Sequence, residues 1–395
     1  MLHGGIRYLE NMDFHLVWEA LREKNLWLKL VPHLATEERF YLPVFNESKR
    51  PLWMIKIGLF LYDLLSGFQN TPHRVASPQE TLKALPGLRE KGLEGSGIYS
   101  DAVVDDLKLT LEVIFDALLE KNQKAINHVR LESFEHLGES NELHLVDELT
   151  GEEKTIWANN VVFATGPFTD LIMEKLQIPW RPRLLPSKGS HLWVKRSALP
   201  VESPLVITTK DDRVIFVIPH KERVLVGTTE EKMKTSRFDV TPSQEEVDYL
   251  VDNLKTYFPS FEAKDAIIET FSGIRPLVAD EDSNDPGKTS REHKTFRPYK
   301  NVYVLVGGKY TTFRVMAQDI TREIALKHHR PYSSLKSLAP LRKRSTFYSE
   351  SESLSLEKIQ EKAPSVIERE LVRTEEDFIH RSVPWENAEH LQEQV

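Results

Sequence analysis

Five side chains with the chemistry to hold an anion or move a proton stand close to glycines or turn sequences. They are Arg7, His191, Arg275, Arg291 and Lys309. Glycine allows a backbone to approach a ligand closely, and arginine offers a planar set of donors that matches phosphate or carboxylate. A phosphate dianion needs several fixed cationic donors, so we predict that the arginines and the lysine serve one anion site. Lone arginines are usually solvated surface groups, and that alternative stays open.

His191 lies in SKGSHLWV, directly after Gly189 and Ser190, at the start of a strand-like run. Histidine is the commonest acid–base side chain in enzymes, which makes His191 a candidate proton acceptor. The alternative is a structural histidine. No H-x-x-x-H pair or carboxylate cluster has the spacing of metal ligands, so no metal site is predicted.

Two glycine turns follow strand-like segments. The first is VVFATGPF, with Gly166, and a turn of this kind at the carboxyl end of a parallel strand is where α/β proteins bind cofactors. The second turn, VGGKYTTFR, holds Gly307, Gly308, Lys309, Thr311 and Thr312. It precedes a helix, and a helix N-terminus presents free N–H groups and partial positive charge. We expect both turns to contact a ligand, although such turns can also be purely structural.

Apolar spacing predicts the elements that position these residues. Helices are predicted over 11–30, after Asp101, over 240–254 and over 311–327. Strands are predicted over 143–148, 159–166 and 301–309, with a hairpin formed by 213–220 and 223–230. Residues 31–51 contain three prolines and are predicted to be a loop-rich connection. Past Pro331, serine and charge predict a linker followed by short polar helices.

The segment Pro51–Phe68 is the most apolar stretch of the chain. It contains Lys56 and Asp63 and is shorter than the roughly 20 residues of a membrane-spanning helix. We therefore predict a buried or half-buried helix. A surface that contacts lipid is the alternative.

The bulk composition sets limits on the class of protein. A chain of 395 residues can form two or three domains. Its 40% hydrophobic and 28% charged residues are typical of a globular protein, and its net charge of −8 argues against nucleic-acid binding. The lack of cysteine excludes disulfides and thiolate chemistry and fits a reducing cytoplasm. We expect no signal peptide in the opening residues, because His3, Arg7 and Glu10 take the place of an apolar run.

The order of motifs resembles FAD-dependent glycerol-3-phosphate dehydrogenase. The matching segments run collinearly from HGGIRYLE through WMIKIGLFLYD, YSDAVVDD, ATGPFTD, KGSH, VGTTE and SGIRPL to VGGKYTTFR, between Leu2 and about residue 325. The resemblance implies FAD as the cofactor, oxidation of glycerol 3-phosphate to dihydroxyacetone phosphate, and a quinone as electron acceptor. An oxidase that uses oxygen and an inactive fragment are the alternatives.

The resemblance also implies roles for individual residues. FAD contacts are implied for His3, Gly4, Gly5, Gly166, Gly307, Gly308, Lys309, Thr311 and Thr312. Substrate contacts are implied for Arg7, Tyr8, Arg291 and Lys309, of which Arg7, Arg291 and Lys309 would hold the phosphate. His191 would take the hydroxyl proton, and Arg275 would stabilise the developing alkoxide.

The expected fold is α/β: a Rossmann-like FAD domain, an antiparallel-sheet substrate domain and a partial helical cap at the C-terminus. We assign 1–30, 95–180 and 295–330 to the FAD domain, 31–94 and 181–294 to the substrate domain, and 331–395 to a linker and partial cap. No G-x-G-x-x-G phosphate cradle occurs in the sequence. We therefore expect a Rossmann start to be missing and FAD binding by the chain as written to be weak.

A cytoplasmic location follows from the resemblance, with peripheral contact to the inner face of the membrane as one alternative. A monomer and a homodimer both remain open. No nucleic-acid partner is expected.

Overall fold

Helices and strands alternate along the first three quarters of the chain. The computed structural model describes residues 1–10, 12–279, 289–290, 293–342 and 371–382. The helices are α1 (Phe14–Leu30), α2 (Leu52–Leu65), α3 (Pro78–Ala84), α4 (Asp106–Ala117), α5 (Thr169–Lys175), α6 (Gln244–Tyr257), α7 (Phe313–Lys327) and α8 (Glu375–Ser382).

One large mixed sheet dominates the fold. The strands are β1 (Ala35–Phe45), β2 (Arg74–Ala76), β3 (Leu93–Val104), β4 (Val129–His136), β5 (Asn141–Asp147), β6 (Glu153–Ala158), β7 (Val161–Phe163), β8 (Leu184–Lys195), β9 (Leu205–Thr208), β10 (Val214–His220), β11 (Arg223–Gly227), β12 (Glu231–Lys232), β13 (Ile267–Ala279), β14 (Thr289–Ser290), β15 (His293–Tyr299) and β16 (Val302–Gly307). The large sheet has the order β14-β13-β8-β11-β10-β9-β1-β3-β2, with β12 also on β8. Its neighbours are antiparallel, except that β1 and β9 run parallel.

Two smaller sheets complete the strands. In the order β15-β16-β7, strand β16 runs parallel to β7 and antiparallel to β15. Strands β4, β5 and β6 form an antiparallel sheet. The described residues therefore form a mixed α/β fold, and the assignment of ranges to domains stays a proposal.

Local sequence signals explain several elements that were predicted. Helix α6 begins with a capping box, in which Ser243 Oγ accepts from the Glu246 N–H and the Glu246 carboxylate accepts from the Ser243 N–H. Helix α4 begins after Asp105, whose carboxylate accepts from the Lys108 N–H. The predicted hairpin is confirmed as β10 and β11, which pair from Phe216 opposite Gly227 to His220 opposite Arg223.

The loop-rich connection predicted over 31–51 is wrong, because this range contains the 11-residue strand β1. Pro43 lies inside it, opposite Ser96 of β3. The Tyr41 N–H points away from β3 and donates to the Pro204 carbonyl, so Pro43, two residues on, also faces away from β3. Pairing with β9 is limited to Tyr41, and the missing N–H of Pro43 therefore removes no ladder bond.

Helix α2 is half-buried, as predicted for Pro51–Phe68. Leu59 and Tyr62 are buried against β3, whereas Trp53 is 62% exposed and Ile57 53% exposed. Among the described residues, we find no helix with both the length and the apolar character to cross a membrane.

Candidate active site

A cavity of about 600 Å³ lies on one face of the large sheet. Its lining includes six residues that sequence reasoning assigned to the site: His3, Gly5, Arg7, Tyr8, His191 and Arg275. They come from the opening segment, from β8 and from β13. The fold thus brings three distant parts of the sequence to one cavity.

His191 lies on β8 between Gly227 of β11 and Phe271 of β13. The Phe271 ring stacks on the imidazole at a centroid distance of 5.1 Å and an interplanar angle of 9°. A Cβ on Gly227 would come within 2.1 Å of the His191 ring, so glycine is needed there. Burial, together with the nearby positive charge of Arg275, lowers the pKa of His191 to about 4. At neutral pH the imidazole is therefore uncharged and can accept a proton.

Arg275 projects from β13 across Gly189 of β8. Its Nη2 donates to Thr228 Oγ1 at 2.8 Å, and its Nη1 donates to the Thr229 carbonyl at 3.4 Å. A Cβ on Gly189 would lie 2.4 Å from Arg275 Nη2. The glycine in KGSH thus makes room for the guanidinium beside His191.

A buried network supports this end of the cavity from behind. Glu246 Oε1 accepts from Ser190 Oγ at 2.8 Å and from Thr229 Oγ1 at 2.6 Å, and Oε2 pairs with Lys188 Nζ at 2.9 Å. Burial alone would raise the pKa of Glu246, but the bonds from Thr229, the Ser243 N–H, Lys188 and Ser190 lower it to about 2. Helix α6 is thereby fixed to the strands that carry His191 and Thr229.

The opening segment is held in place by bonds to residues far along the chain. Leu2 forms a β-bridge with Ala102, and the His3 N–H donates to Thr311 Oγ1 at 3.2 Å. Gly5 has φ of +76°, and a Cβ there would overlap the Tyr8 ring. Gly5 is thus explained by a tight turn over the buried Tyr8, whereas a Cβ on Gly4 would overlap Tyr62 and Leu21.

Asp101 is the buried carboxylate beneath that turn. Its Oδ1 accepts from the Gly4 N–H at 3.2 Å and from Tyr62 Oη at 2.8 Å, and Asp101 also lines the cavity. Burial raises the pKa of Asp101 to about 6, although Lys24 and these hydrogen bonds oppose the shift. Sequence reasoning did not assign Asp101 to the site.

The cations of the predicted anion site differ in their partners. Arg7 is half-buried and its guanidinium has no hydrogen bond or ion pair to any described residue. Lys309 does not line the cavity; its Nζ lies 4.0 Å from the centroid of the Tyr8 ring. Arg291 lies outside the described residues.

Two further arginines form a charged rim at the cavity. Arg50 bonds Glu10 at 2.7 Å and Asp212 at 2.9 Å. Arg213 donates to the Glu230 carbonyl at 2.9 Å. On this side of the cavity, the sequence analysis noted only the VGTTE segment, as one of the ordered motifs. Arg50 and Arg213 were not predicted, because only the folded chain brings them to the cavity.

The predicted cofactor turns lie at one sheet edge outside this cavity. Gly166 follows β7 and Gly307 ends β16, and these strands are parallel neighbours. Gly166 and Gly307 have φ of +55° and +75°, and a Cβ on Gly166 would meet no atom within 4 Å. Thr311 and Thr312 belong to the 3-10 turn Tyr310–Thr312, which leads into α7. Open backbone and a helix N-terminus fit an extended anionic cofactor.

Comparison with known proteins identifies the family. The model of the FAD-dependent oxidoreductase family matches residues 1–322. This chain belongs to the FAD-dependent oxidoreductases. Aerobic glycerol-3-phosphate dehydrogenase of Staphylococcus aureus (strain MRSA252) is 33% identical over 337 residues, which are 84% of this chain and 60% of that protein. The chain thus spans about three fifths of the curated relatives that it matches.

Solved structures of other proteins agree with the fold. Glycerol-3-phosphate dehydrogenase from Bacillus halodurans, complexed with FAD, has a TM-score of 0.65 at 26% identity, covering 80% of this chain and 56% of that chain. Glycine oxidase from Geobacillus kaustophilus has a TM-score of 0.56 at 18% identity and 84% coverage of both chains, and shows the fold alone. The cofactor of this oxidoreductase is FAD, and the glycine turns after β7 and β16 fit it.

Proposed function

We propose that this oxidoreductase oxidises sn-glycerol 3-phosphate to dihydroxyacetone phosphate and passes the electrons to a quinone. The observation that carries the proposal is the meeting of His191, Arg275, Arg7 and Tyr8 in one cavity. Identity of 33% with an aerobic glycerol-3-phosphate dehydrogenase supports the same substrate. The fold alone would also allow an amino acid as substrate, because a glycine oxidase has a similar fold.

The site chemistry suits a secondary alcohol with a phosphate. Bound FAD supplies the acceptor for the hydride from the second carbon. His191, neutral because its pKa is about 4, accepts the hydroxyl proton. Arg275, held by Thr228 and Thr229, stabilises the negative charge that develops on the oxygen. Arg7, with no ion pair to any described residue, is placed to bind the phosphate.

The test is reduction of the flavin in the FAD-loaded protein without oxygen. Glycerol 3-phosphate should bleach the flavin absorbance, whereas glycerol and glycine should act far more slowly. The variant His191→Ala should slow reduction by about 10²–10⁴-fold, the usual range for loss of a general base, with FAD content preserved. Faster reduction by glycine than by glycerol 3-phosphate would refute the proposed substrate.

The acceptor is tested separately, by following reoxidation of the reduced flavin. We expect a soluble quinone analogue to reoxidise it much faster than air-saturated buffer does. Faster reoxidation by oxygen would instead make the protein a glycerol-3-phosphate oxidase. The domain ranges and the FAD contacts given above belong to the same proposal.

A further inference from the structure

Glu246 of α6 lies behind the large sheet, on the face opposite to the cavity. Side chains alternate between the two faces of a strand, so His191 faces the cavity while its neighbours Ser190 and Leu192 face the other way. Leu192 is buried in the same apolar core as Leu250 of α6. Helix α6 therefore packs against the part of β8 that carries His191.

The buried carboxylate of Glu246 accepts from four donors, which is more than the start of its helix requires. The capping box uses only the bond from the Ser243 N–H, at 3.0 Å. The other three donors are Lys188 Nζ, Ser190 Oγ and Thr229 Oγ1. The apolar side of α6 already packs in the core, and a buried ion pair often adds no net stability. Docking of α6 alone therefore does not explain these three bonds.

Thr229 connects this carboxylate to the guanidinium in the cavity. Its Oγ1 donates to Glu246 Oε1 at 2.6 Å and accepts from the Ser190 N–H at 2.9 Å. Its carbonyl accepts from Arg275 Nη1 at 3.4 Å and from Thr228 Oγ1 at 3.0 Å. Thr228 Oγ1 in turn accepts from Arg275 Nη2 at 2.8 Å. The orientation of Thr229 thus determines where both of these acceptors of the Arg275 guanidinium lie.

We propose that Glu246 is a positioning residue for the oxidation, because through Thr229 it fixes the Arg275 guanidinium beside His191. This inference rests on the proposed function, in which Arg275 stabilises the charge on the oxygen that gives its proton to His191. Glu246 does not contact the substrate, since it lies on the other face of the sheet. Without its carboxylate, the Thr229 hydroxyl loses the acceptor that orients it.

The position of Arg275 matters for the rate of the reaction more than for binding. A donor stabilises the transition state only where it is fixed at the atom on which charge develops. A displacement of about 1 Å can cost about 10²-fold in rate. The phosphate is assigned to Arg7, which lies on the opening segment and has no part in the Glu246 network. Loss of Glu246 should therefore slow the chemical step and leave substrate binding nearly unchanged.

Glu246→Gln is the variant that tests this role with the least risk to folding. Glutamine has the same length, and a capping box accepts glutamine as well as glutamate. An amide has one oxygen, however, so its NH₂ group must face either the hydroxyls of Ser190 and Thr229 or the donors of Lys188 and Ser243. In either orientation the set of four donors is no longer satisfied.

The first measurement is flavin reduction by glycerol 3-phosphate in the FAD-loaded protein without oxygen. In Glu246→Gln the limiting rate should fall about 10–100-fold, because Arg275 is displaced from the developing charge. The substrate concentration that gives half of the limiting rate should stay about the same, since Arg7 still binds the phosphate.

The second measurement is the pKa of His191 in the full chain by NMR, which needs neither cofactor nor turnover. Burial is the main cause of the low pKa of His191, followed by the charge of Arg275 and then by the amino group of Met1. Loss of the negative charge of Glu246 would by itself lower the pKa further. Displacement of Arg275 acts in the opposite direction. We therefore expect the pKa in Glu246→Gln to rise towards the ordinary value of 6.5.

Two further variants serve as controls. Glu245 is exposed in the same turn of α6, so Glu245→Gln removes the same charge from the helix and should change neither measurement. Thr229→Val removes the hydroxyl that donates to Glu246 but keeps the carbonyl that accepts from Arg275. It should reproduce both effects, and adding Glu246→Gln to it should change them little further.

Each result decides for or against the proposal. An unchanged reduction rate in Glu246→Gln, or a pKa of His191 that stays the same or falls, would overturn it and leave Glu246 with a role in the helix alone. If Glu246→Gln does not fold, Thr229→Val decides by the same two measurements. If glycerol 3-phosphate fails to reduce the flavin of the unmodified protein, the proposed function is wrong, whereas the pKa of His191 still shows whether Glu246 positions Arg275.

Discussion

Replacing His191 with glutamine should remove a defined part of the pH dependence of folding stability. Glutamine keeps a polar side chain of similar length but does not titrate. In the folded protein, burial and the charge of Arg275 lower the pKa of His191 from 6.5 to about 4. The imidazole Nδ1 is buried and has no hydrogen-bond partner among the described residues, in keeping with a group that resists protonation.

The size of the effect follows from the two pKa values. Between about pH 4 and 6.5 the unfolded chain binds a proton at His191 and the folded chain does not, so stability rises with pH through this window. One pKa unit corresponds to about 1.4 kcal/mol, and the whole shift amounts to about 3 kcal/mol. The unmodified protein should therefore lose roughly 2–3 kcal/mol relative to His191→Gln between about pH 7 and 4.5.

Urea unfolding of both proteins at a series of pH values measures this difference directly. Contributions of other titrating groups cancel in the comparison, because they occur in both proteins. In a second comparison, Arg275→Gln removes the neighbouring charge and should raise the pKa of His191. The pH range over which His191 changes the stability should then be narrower. Parallel stability curves for the unmodified protein and His191→Gln would refute the lowered pKa of His191.

Three further changes test the remaining parts of the site. Arg7→Ala should weaken glycerol 3-phosphate binding about 10–100-fold by calorimetry, the value of a charge-assisted hydrogen bond, and leave glycerol binding unchanged; equal losses would exclude a phosphate contact. Gly189→Ala should displace the Arg275 guanidinium, whose Nη2 would lie 2.4 Å from the new Cβ, and slow flavin reduction at least about tenfold; an unchanged rate would contradict this. Asp101 binds more protons when folded, because its pKa rises from 3.8 to about 6. The free energy of unfolding should thus fall as pH rises from about 4 to about 6, and Asp101→Asn should abolish this fall when unfolding by urea is measured across that range. An identical fall in the variant and the unmodified protein would contradict the raised pKa.

Local patterns predicted elements whose signals lie within a few residues. The capping box at Ser243 and the apolar spacing after it were sufficient for α6. Strand β3 gave no such signal, since Gly95 and Gly97 are typical of turns. A Cβ on Gly97 would lie 2.5 Å from Ile55, so this glycine exists to let α2 pack on the strand. A glycine that is needed for such close packing between distant elements cannot be recognised from the residues around it in the sequence.

The same limit applies to the site. Sequence reasoning selected His191 and Arg275 by residue type and by resemblance, and the structure brings both to the cavity. It did not select Thr228, Thr229 or Glu246, whose contacts to Arg275 and Ser190 exist only in the register of β8 with β11 and β13. Threonine and glutamate are common throughout the sequence, so only their positions in the fold identify these three residues as part of the site.

The register of β8 with β13 explains why an arginine and a glycine occur together at this site. His191 is opposite Phe271, whereas Arg275 is opposite Ser187, four residues further along β8. At about 3.4 Å per residue that offset is roughly 14 Å, too far for a short cation to influence the imidazole strongly. The long Arg275 side chain shortens the separation by lying over Gly189, which is opposite Gly273 between the two pairs. Any side chain at position 189 would occupy that path, so the glycine of KGSH is required for the charge that, together with burial as the larger cause, lowers the pKa of His191.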